Sequence, residues 1–393
     1  MNGPLAQLKV LDFSTLLPGP YASMLMADMG AEVLRIEAID QPNMVNALQP
    51  SHKGNSYAYL TLNRNKQAIR VNLKNSRGIE VIKQLVAQYD IVLEQFRPGV
   101  MAKLGLDYET LKDLNPKLIY CSITGYGQTG CFTQRAGHDI NYLALSGLAS
   151  FSGTEQSGPV LIGTQIADIA GGSHHAVMGI LAAAVQRGIT GKGQHLDISM
   201  TDAAFALNGV FGAGAVGADV DPKLGATPLN GGSFYDYYQT QDGRYLSVGS
   251  LEPKFAKQFF DTIGHGDWLE RAGSTEATQQ LALKADICAA IVAQPLSYWC
   301  QLFEPLDACV EPVLSVSEAA NSRLLQQRNM VVEVRSMSGD NIKQVAPAIK
   351  FSDTSPDAMF VTKPTSEYAK DLLADLHYLA DDIEYLIHNR IIN

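Results

Sequence analysis

Leu8-Lys9-Val10-Leu11-Asp12-Phe13-Ser14, then Pro18-Gly19-Pro20 running on to Met29, then Gly30 and Ala31-Glu32-Val33-Leu34-Arg35-Ile36-Glu37, is the stretch whose reading decides the fold. The first segment is short and apolar, as a strand buried on both faces is. A proline at the first helical position has no N–H to lose, so Pro18-Gly19-Pro20 opens a helix, and Gly30 stops it. The third segment reads as a second strand. Strand, helix and strand in so short a span make a βαβ unit, which implies a parallel sheet. The glycine fingerprint of a dinucleotide fold, GxGxxG, is missing: Leu17-Pro18-Gly19-Pro20 occupies its place. Glu37 ends the second strand where a ribose-binding acid would sit, but without the glycines no nicotinamide cofactor is expected.

Outward from this unit the alternation continues. Residues 38–66 are polar and irregular, ending in Asn63-Arg64-Asn65-Lys66. Strand patterns return over 68–73, 90–96, 118–124 and 194–199, with a helix over 76–88 and a small-residue helix over 169–186 that Asp168 just precedes. Such a pattern predicts an α/β fold, a mainly parallel sheet covered on both faces. Gly212, Gly214, Gly217, Gly225, Gly231 and Gly232 then puncture residues 211–232, which read as a linker. Beyond it, Phe234–Gln239 and Tyr245–Gly249 flank Asp242-Gly243, a hairpin that opens a smaller α+β domain over 233–325. Helical segments run to about residue 320. One amphipathic helix over 367–388 closes the chain.

Composition narrows the function. The 393 residues suffice for two cores, and a net charge of −10 without a basic run argues against nucleic-acid binding. Cys121, Cys131, Cys288, Cys300 and Cys309 form no CxxC pair and no metal-ligand spacing, so they read as reduced thiols. Neither a secretory leader nor an apolar run near the ~20 residues of a membrane span is visible, and a cytoplasmic enzyme without metal is expected.

The chemistry centres on Gly137-His138-Asp139-Ile140-Asn141-Tyr142, where a loop hands over to an apolar helix. Gly137 can bend the backbone and Asp139 is a good N-cap type. A helix start there offers free N–H groups beside an imidazole, a setting suited to a developing oxyanion. Taken alone, His138 reads as a loop histidine, and Asp139 and Asp168 as helix caps. His174 and His175 read as helix-face histidines without a partner.

Four segments alter that reading. GHDINYLALSG (137–147), ADIAGG (167–172), GSLEPKF (249–255) and DACVEPVL (307–314) resemble the CoA-transferase family III, and within it the α-methylacyl-CoA racemases. The resemblance covers nearly the whole chain. It implies that 1–210 and 326–393 together form one large Rossmann-like domain, and that two chains interlock as a homodimer. It also implies racemisation of 2-methyl-branched acyl-CoA thioesters through an enolate, with no cofactor beyond the CoA of the substrate. His138 and Asp168 would then be the two bases, the Asp139 N–H would meet the enolate oxygen, and Glu252, from the partner subunit, would orient His138. Val71-Asn72-Leu73-Lys74, Gln95-Phe96-Arg97 and Lys103 match the segments that hold the nucleotide, with Gly137, Asn141 and Tyr142 near the pantetheine.

One position departs from the pattern. Relatives carry an arginine after the Arg-Ile-acid strand, and this chain has Ala38, leaving Lys53, Arg64 or Lys66 as replacements. Two rival readings follow from the same resemblance. In a family III CoA-transferase Asp168 would be a nucleophile forming a mixed anhydride, covered by a glycine-rich loop; here that loop reads Leu229-Asn230-Gly231-Gly232-Ser233, with only two consecutive glycines. A non-catalytic acyl-CoA binder would keep the nucleotide segments and lose the bases.

Overall fold

A computed structural model describes residues 3–40, 43–354 and 359–393. Six parallel strands form the main sheet: β1 (Lys9–Asp12), β2 (Glu32–Ala38), β3 (Lys66–Val71), β4 (Ile91–Glu94), β5 (Ile119–Thr124) and β6 (Gln194–Ser199). Their order, β6-β5-β4-β1-β2-β3, is that of a doubly wound Rossmann sheet, as the opening stretch predicts. The strand order reverses between the parallel neighbours β1 and β4, and the crevice outside the carboxyl ends of these strands is where such folds bind ligands.

Apolar side chains alternate to both faces of the sheet and build two cores. Leu11, Leu34, Ile69 and Val92 pack under α2 (Ser76–Val86) on one face. On the other, Val10, Val33, Ile91 and Ile119 meet α1 (Pro18–Asp28) and the long helix that follows Asp168. The predicted C-terminal helix is two helices, α8 (Ser366–Asp375) and α9 (Ala380–His388), because Leu376 and Tyr378 turn in to cap the first core between them. The last residues cover the edge strand: Arg70 N–H donates to Asn393 O at 2.7 Å, Asn393 N–H returns to Arg70 O at 2.9 Å, and Asn72 N–H donates to Ile391 O at 2.8 Å.

By contact density the chain divides into two compact units. One comprises Met1–Ser146, Gly163–Ala206 and Arg323–Asn393; the other comprises Gly147–Ile162 and Leu207–Ser322. Residues 147–162, read above as part of the first domain, therefore belong with the second. Their short Gly153–Thr154 strand pairs with Gly158–Pro159, and Phe151 O accepts the Asn230 side-chain amide. The segment read as a linker, 211–232, belongs there too, and includes the helix Ala213–Ala218. This unit holds the predicted hairpin, β7 (Asp236–Gln239) with β8 (Tyr245–Val248), extended by β9 (Val310–Pro312). Phe234, Phe259, Phe260, Trp299 and Phe303 fill its core beside α5 (Pro253–Thr262), α6 (Ala277–Ile291) and α7 (Leu296–Phe303).

Residues 38–66 are less irregular than their composition implies. The 3₁₀ turn Met44–Ala47, a two-residue hairpin and the helix Tyr57–Leu62 lead to the hairpin β10 (Val331–Arg335) and β11 (Asn341–Val345), with Val45, Leu60, Val334 and Ile342 between them. Arg64 seals this small core. Its Nε and Nη2 donate to Asp28 at 2.9 and 2.6 Å, and Nη1 donates to Val345 O at 2.7 Å. Both partners are almost fully buried, at 3 and 2 % side-chain exposure. Arg64→Ala leaves a buried carboxylate uncompensated and is expected to cost about 3–5 kcal/mol. Urea unfolding checks this: the double variant with Asp28→Ala should lose clearly less than the two single losses summed.

Candidate active site

His138 and Asp139 start α3 (Asp139–Leu145), but not in the predicted roles. The N-cap is His138, in extended backbone, and Asp139 is the first helical residue. The Asn141 side chain reaches back to accept the His138 N–H at 3.0 Å, so His138 and Asn141 close the helix start and the Asp139 carboxylate is free for other work. It accepts the Asp168 N–H at 3.0 Å. Gly137 is required for room rather than for bending: a Cβ there would come within 2.6 Å of Tyr126 Oη and 2.7 Å of Tyr142 Cε1. Tyr142 lies buried across it, donating to Gly137 O at 2.6 Å.

Asp168 lies inside a turn, not before a helix. Residues Ala167–His174 form a π-helical stretch that continues into α4 (His175–Thr190). The carboxyl is partly buried, and burial raises it to about 6; the nearby Asp139 carboxylate adds to the rise and His138 opposes it. Tyr142 is pushed up to about 12, by burial first and then by Asp168, Tyr126 and Asp139, with Arg97 pulling the other way. The structure thus gathers His138, Asp139, Tyr142, Asp168 and Arg97 in one electrostatic neighbourhood. A carboxyl that titrates near neutrality beside an imidazole and an acid is equipped to exchange a proton.

The other expected residues are placed as follows. Glu252 is in the second unit, as the N-cap of α5, with its exposed carboxylate making no capping bond. Val71 is buried at the end of β3, Asn72 Oδ1 accepts Lys74 N–H at 3.1 Å, and Leu73 packs on the first core. Gln95 Oε1 accepts Gly19 N–H at 3.0 Å, tying the loop after β4 to the first turn of α1, while Phe96 packs on the first core. Lys74, Arg97 and Lys103 are exposed. Of the three replacements for the basic residue missing at Ala38, two are unavailable. Arg64 is committed to Asp28, and fully buried Lys66 donates to Pro20 O at 2.8 Å and Ser23 Oγ at 2.6 Å. Lys53 is exposed and paired with Asp340 at 2.6 Å. It lines a polar cleft of about 610 Å³ with His52, Arg70 and Lys363, in which Glu37 is held by Arg35 at 3.1 Å and Arg70 at 3.4 Å.

Sequence reasoning missed Glu94. It is buried at the end of β4, accepts Phe96 N–H at 2.8 Å, and is raised by burial to about 7, against bonds from Ser122 and Phe96. A lone acid closing an apolar strand carries no signal that it supports the next loop. His175, read as partnerless, has Nδ1 2.7 Å from Ala170 O, and exposed His174 meets Tyr21 edge-on. No group of three or more His, Cys, Asp or Glu among the described residues could hold a metal ion. No helix among them is long and apolar enough to cross a membrane.

A doubly wound sheet brings His138, Asp139 and Asp168 together at one site, and the sequence matches one enzyme family across most of its length. The chain belongs to the CoA-transferase family III, matched over residues 5–367. It is 33 % identical over 389 residues to the human α-methylacyl-CoA racemase, covering 98 % of this chain and 96 % of that one. Human succinyl-CoA:glutarate CoA-transferase is 37 % identical over 248 residues, 63 % of this chain and 56 % of its own. Among solved structures, a CAIB/BAIF family protein from Brucella suis superimposes with a TM-score of 0.82 at 26 % identity, covering 96 % of this chain and all of that one. This is an enzyme family with both racemases and transferases among the relatives.

The raised Asp168 has a stability signature. The folded state holds its proton more tightly than the unfolded chain does, so its contribution is fully present below about pH 4 and is lost as pH rises through about 6. Asp168→Asn carries no charge to bury. Its melting temperature should coincide with the wild type near pH 4 and exceed it by about 2–5 °C above pH 7, measured by calorimetry across that range.

Proposed function

We propose that this protein racemises 2-methyl-branched acyl-CoA thioesters by moving the α-proton through an enolate. The observation that carries the reading is the pairing of a partly buried, near-neutral Asp168 with His138 at a helix start. One of the two removes the α-proton from one face of the carbon. The other, in its protonated form, returns a proton to the opposite face, so the thioester leaves with inverted configuration and the enzyme with its protons exchanged. The N–H of Asp139, for which no acceptor stands among the described residues at the first turn of α3, is a donor for the enolate oxygen that forms between the steps. Neither a nicotinamide cofactor nor a metal has a part in these steps, and the CoA arrives with the substrate. Nucleotide binding falls to Val71-Asn72-Leu73-Lys74, Gln95-Phe96-Arg97 and Lys103, with exposed Lys53 and Arg70, which line the cleft around Glu37, as candidates for the role vacated at Ala38.

CoA transfer is the second reading, favoured by the 37 % identity to a succinyl-CoA:glutarate transferase. There Asp168 attacks the thioester carbonyl and CoA departs as the thiolate, leaving an aspartyl–acyl anhydride; an acceptor carboxylate displaces the donor carboxylate to give a second anhydride, and the CoA thiolate attacks the acceptor's acyl carbon, which forms the new thioester and frees Asp168. A mobile glycine loop would serve that intermediate, whereas Leu229–Ser233 is pinned. Asn230 bonds Phe151 O, Lys284 Nζ donates to Gly231 O at 3.2 Å, and a Cβ at Gly232 would lie 2.3 Å from Ala226 O. These ties support the racemase.

In our reading the enzyme is a cytoplasmic homodimer in which Glu252 of the partner subunit orients His138. Inactive Glu252→Ala and His138→Ala chains, refolded together, are then expected to regain up to about a quarter of wild-type activity by random pairing. Heterodimers that form and stay inactive would refute shared sites.

Deuterated water separates the two chemistries. The wild type should incorporate one deuterium at the α-carbon of either enantiomer while inverting it. His138→Ala and Asp168→Ala should each lose racemisation by about 10²–10⁴-fold, yet exchange slowly, with retention, the enantiomer whose proton faces the surviving base. Transfer of CoA to a free acid without deuterium uptake, with hydroxylamine trapping acyl groups on Asp168, would establish the transferase instead.

A further inference from the structure

Asp168 is carried on a turn wound one residue wider than an α-helix. Over Ala167–His174 the backbone takes the π register, in which each carbonyl faces the residue five positions on. Such turns are rare because they give up α-helical bonds, and they persist only where other groups compensate. Two side chains do so here, both with the five-residue spacing. The fully buried Ser173 hydroxyl donates to Pro18 O at 2.7 Å and lies 3.2 Å from Asp168 O. His175 Nδ1 lies 2.7 Å from Ala170 O, a geometry that requires the proton on Nδ1.

Room for the wide turn comes from two glycines. A Cβ at Gly172 would come within 2.9 Å of Pro18 Cβ and 3.2 Å of Met200 Cγ, and one at Gly171 within 3.2 Å of Met200 O. The turn is therefore pressed against the start of α1 and the helix Met200–Ala206. Relaxation to the α register would remove one residue from the turn and swing Asp168 by about 100° relative to α4. The Asp168 N–H would then leave Asp139 Oδ1, and the carboxyl would leave the side of His138.

We propose that Ser173 and His175 are positioning residues, which hold the π turn and through it the Asp168 carboxyl in its place beside Asp139 and His138. Neither touches the reacting carbon. The assignment rests on the reading that Asp168 carries a proton in the reaction, and it reaches two residues to which that reading gives no role.

Three variants test it: Ser173→Ala, His175→Leu, and His175→Asn, whose amide N–H can replace the Nδ1–H donor. Two quantities are read. The first is α-proton exchange kinetics. Ser173→Ala and His175→Leu should each lower kcat by about tenfold and together by about a hundredfold, with KM within about twofold, while His175→Asn recovers most of the loss. The second is the carboxyl titration of Asp168 in ¹³C-aspartate-labelled protein without substrate, assigned by difference from Asp168→Asn. In the Ala and Leu variants it should fall from about 6 towards the ordinary carboxylate range as the shelter opens. His175→Asn should keep it.

Unchanged kcat and unmoved titration in the Ala and Leu variants would overturn the assignment. So would an equal kcat loss in His175→Leu and His175→Asn, because that marks a packing defect rather than a lost donor. Should Ser173→Ala fail to fold, the pair at position 175 decides alone. A wild type that exchanges no α-proton would sink the racemase reading; the titration would then still decide whether Ser173 and His175 place Asp168.

Discussion

A carboxylate buried at the end of the first strand holds the functional edge of this protein together. Asp12 is fully buried and accepts the Ser14 N–H at 2.9 Å and the hydroxyls of Ser14 and Ser23; Lys66 Nζ, itself inaccessible, stands 3.6 Å away. Burial draws Lys66 down to about 7 despite the pull of Asp12, so the hydroxyls and the Pro20 carbonyl are needed to keep both groups satisfied. This knot fixes the turn from β1 into α1. The turn in turn presents the Pro18 carbonyl to Ser173 and the Gly19 N–H to Gln95. A dinucleotide fold keeps that turn open with glycines so that a pyrophosphate can approach. Here Ser14 and Gln95 fill the space, and Gly19 is needed to fit the chain between them.

That filling shifts the chemistry along the edge of the sheet. The loops after β4 and β5, and the turn before α4, carry charged groups whose positions depend on one another. Asp139 restrains the backbone of Asp168 and, by its own charge, discourages Asp168 from ionising. His138 lies close enough to oppose that effect. One carboxyl is thereby held as a structural acceptor and the other poised near neutrality, a division of labour between two acids set by environment rather than by residue type. In our proposal Asp168 carries a proton, and the imidazole beside it is the partner that such a role calls for.

Much of this was legible in the sequence where a periodic or local rule governs. The six parallel strands follow from apolar runs alternating with helical spacing, and the hairpin in the second unit from Asp242-Gly243. The site segments were singled out through resemblance alone, since a capping acid and an acid with another role look alike in six residues. What escaped depends on contacts distant in sequence. Residues 147–162 join the second unit through a loop pairing that leaves no periodicity. The π register at 167–174 is invisible because Ala-Asp-Ile-Ala-Gly-Gly-Ser-His is compatible with an ordinary helix; only Pro18 and Met200 pressing on the glycines reveal the wider turn. Arg64 and Lys66 stood as replacements for the basic residue missing at Ala38, and their burial is decided by Asp28 and Asp12, 36 and 54 positions away.

The seal on the sheet edge bears on how the protein comes into being. Strand β3 is closed by residues 391–393, some 320 positions later. At ribosomal speeds of ~5–20 residues per second, the emerging sheet waits on the order of tens of seconds with its outer hydrogen-bonding groups unclaimed. Throughout that interval a stretch as apolar as Ala68-Ile69-Arg70-Val71 is available to any other extended chain. The charged Arg70 in its middle and Lys66 at its start then act as guards during biogenesis, before either takes up its place in the finished fold.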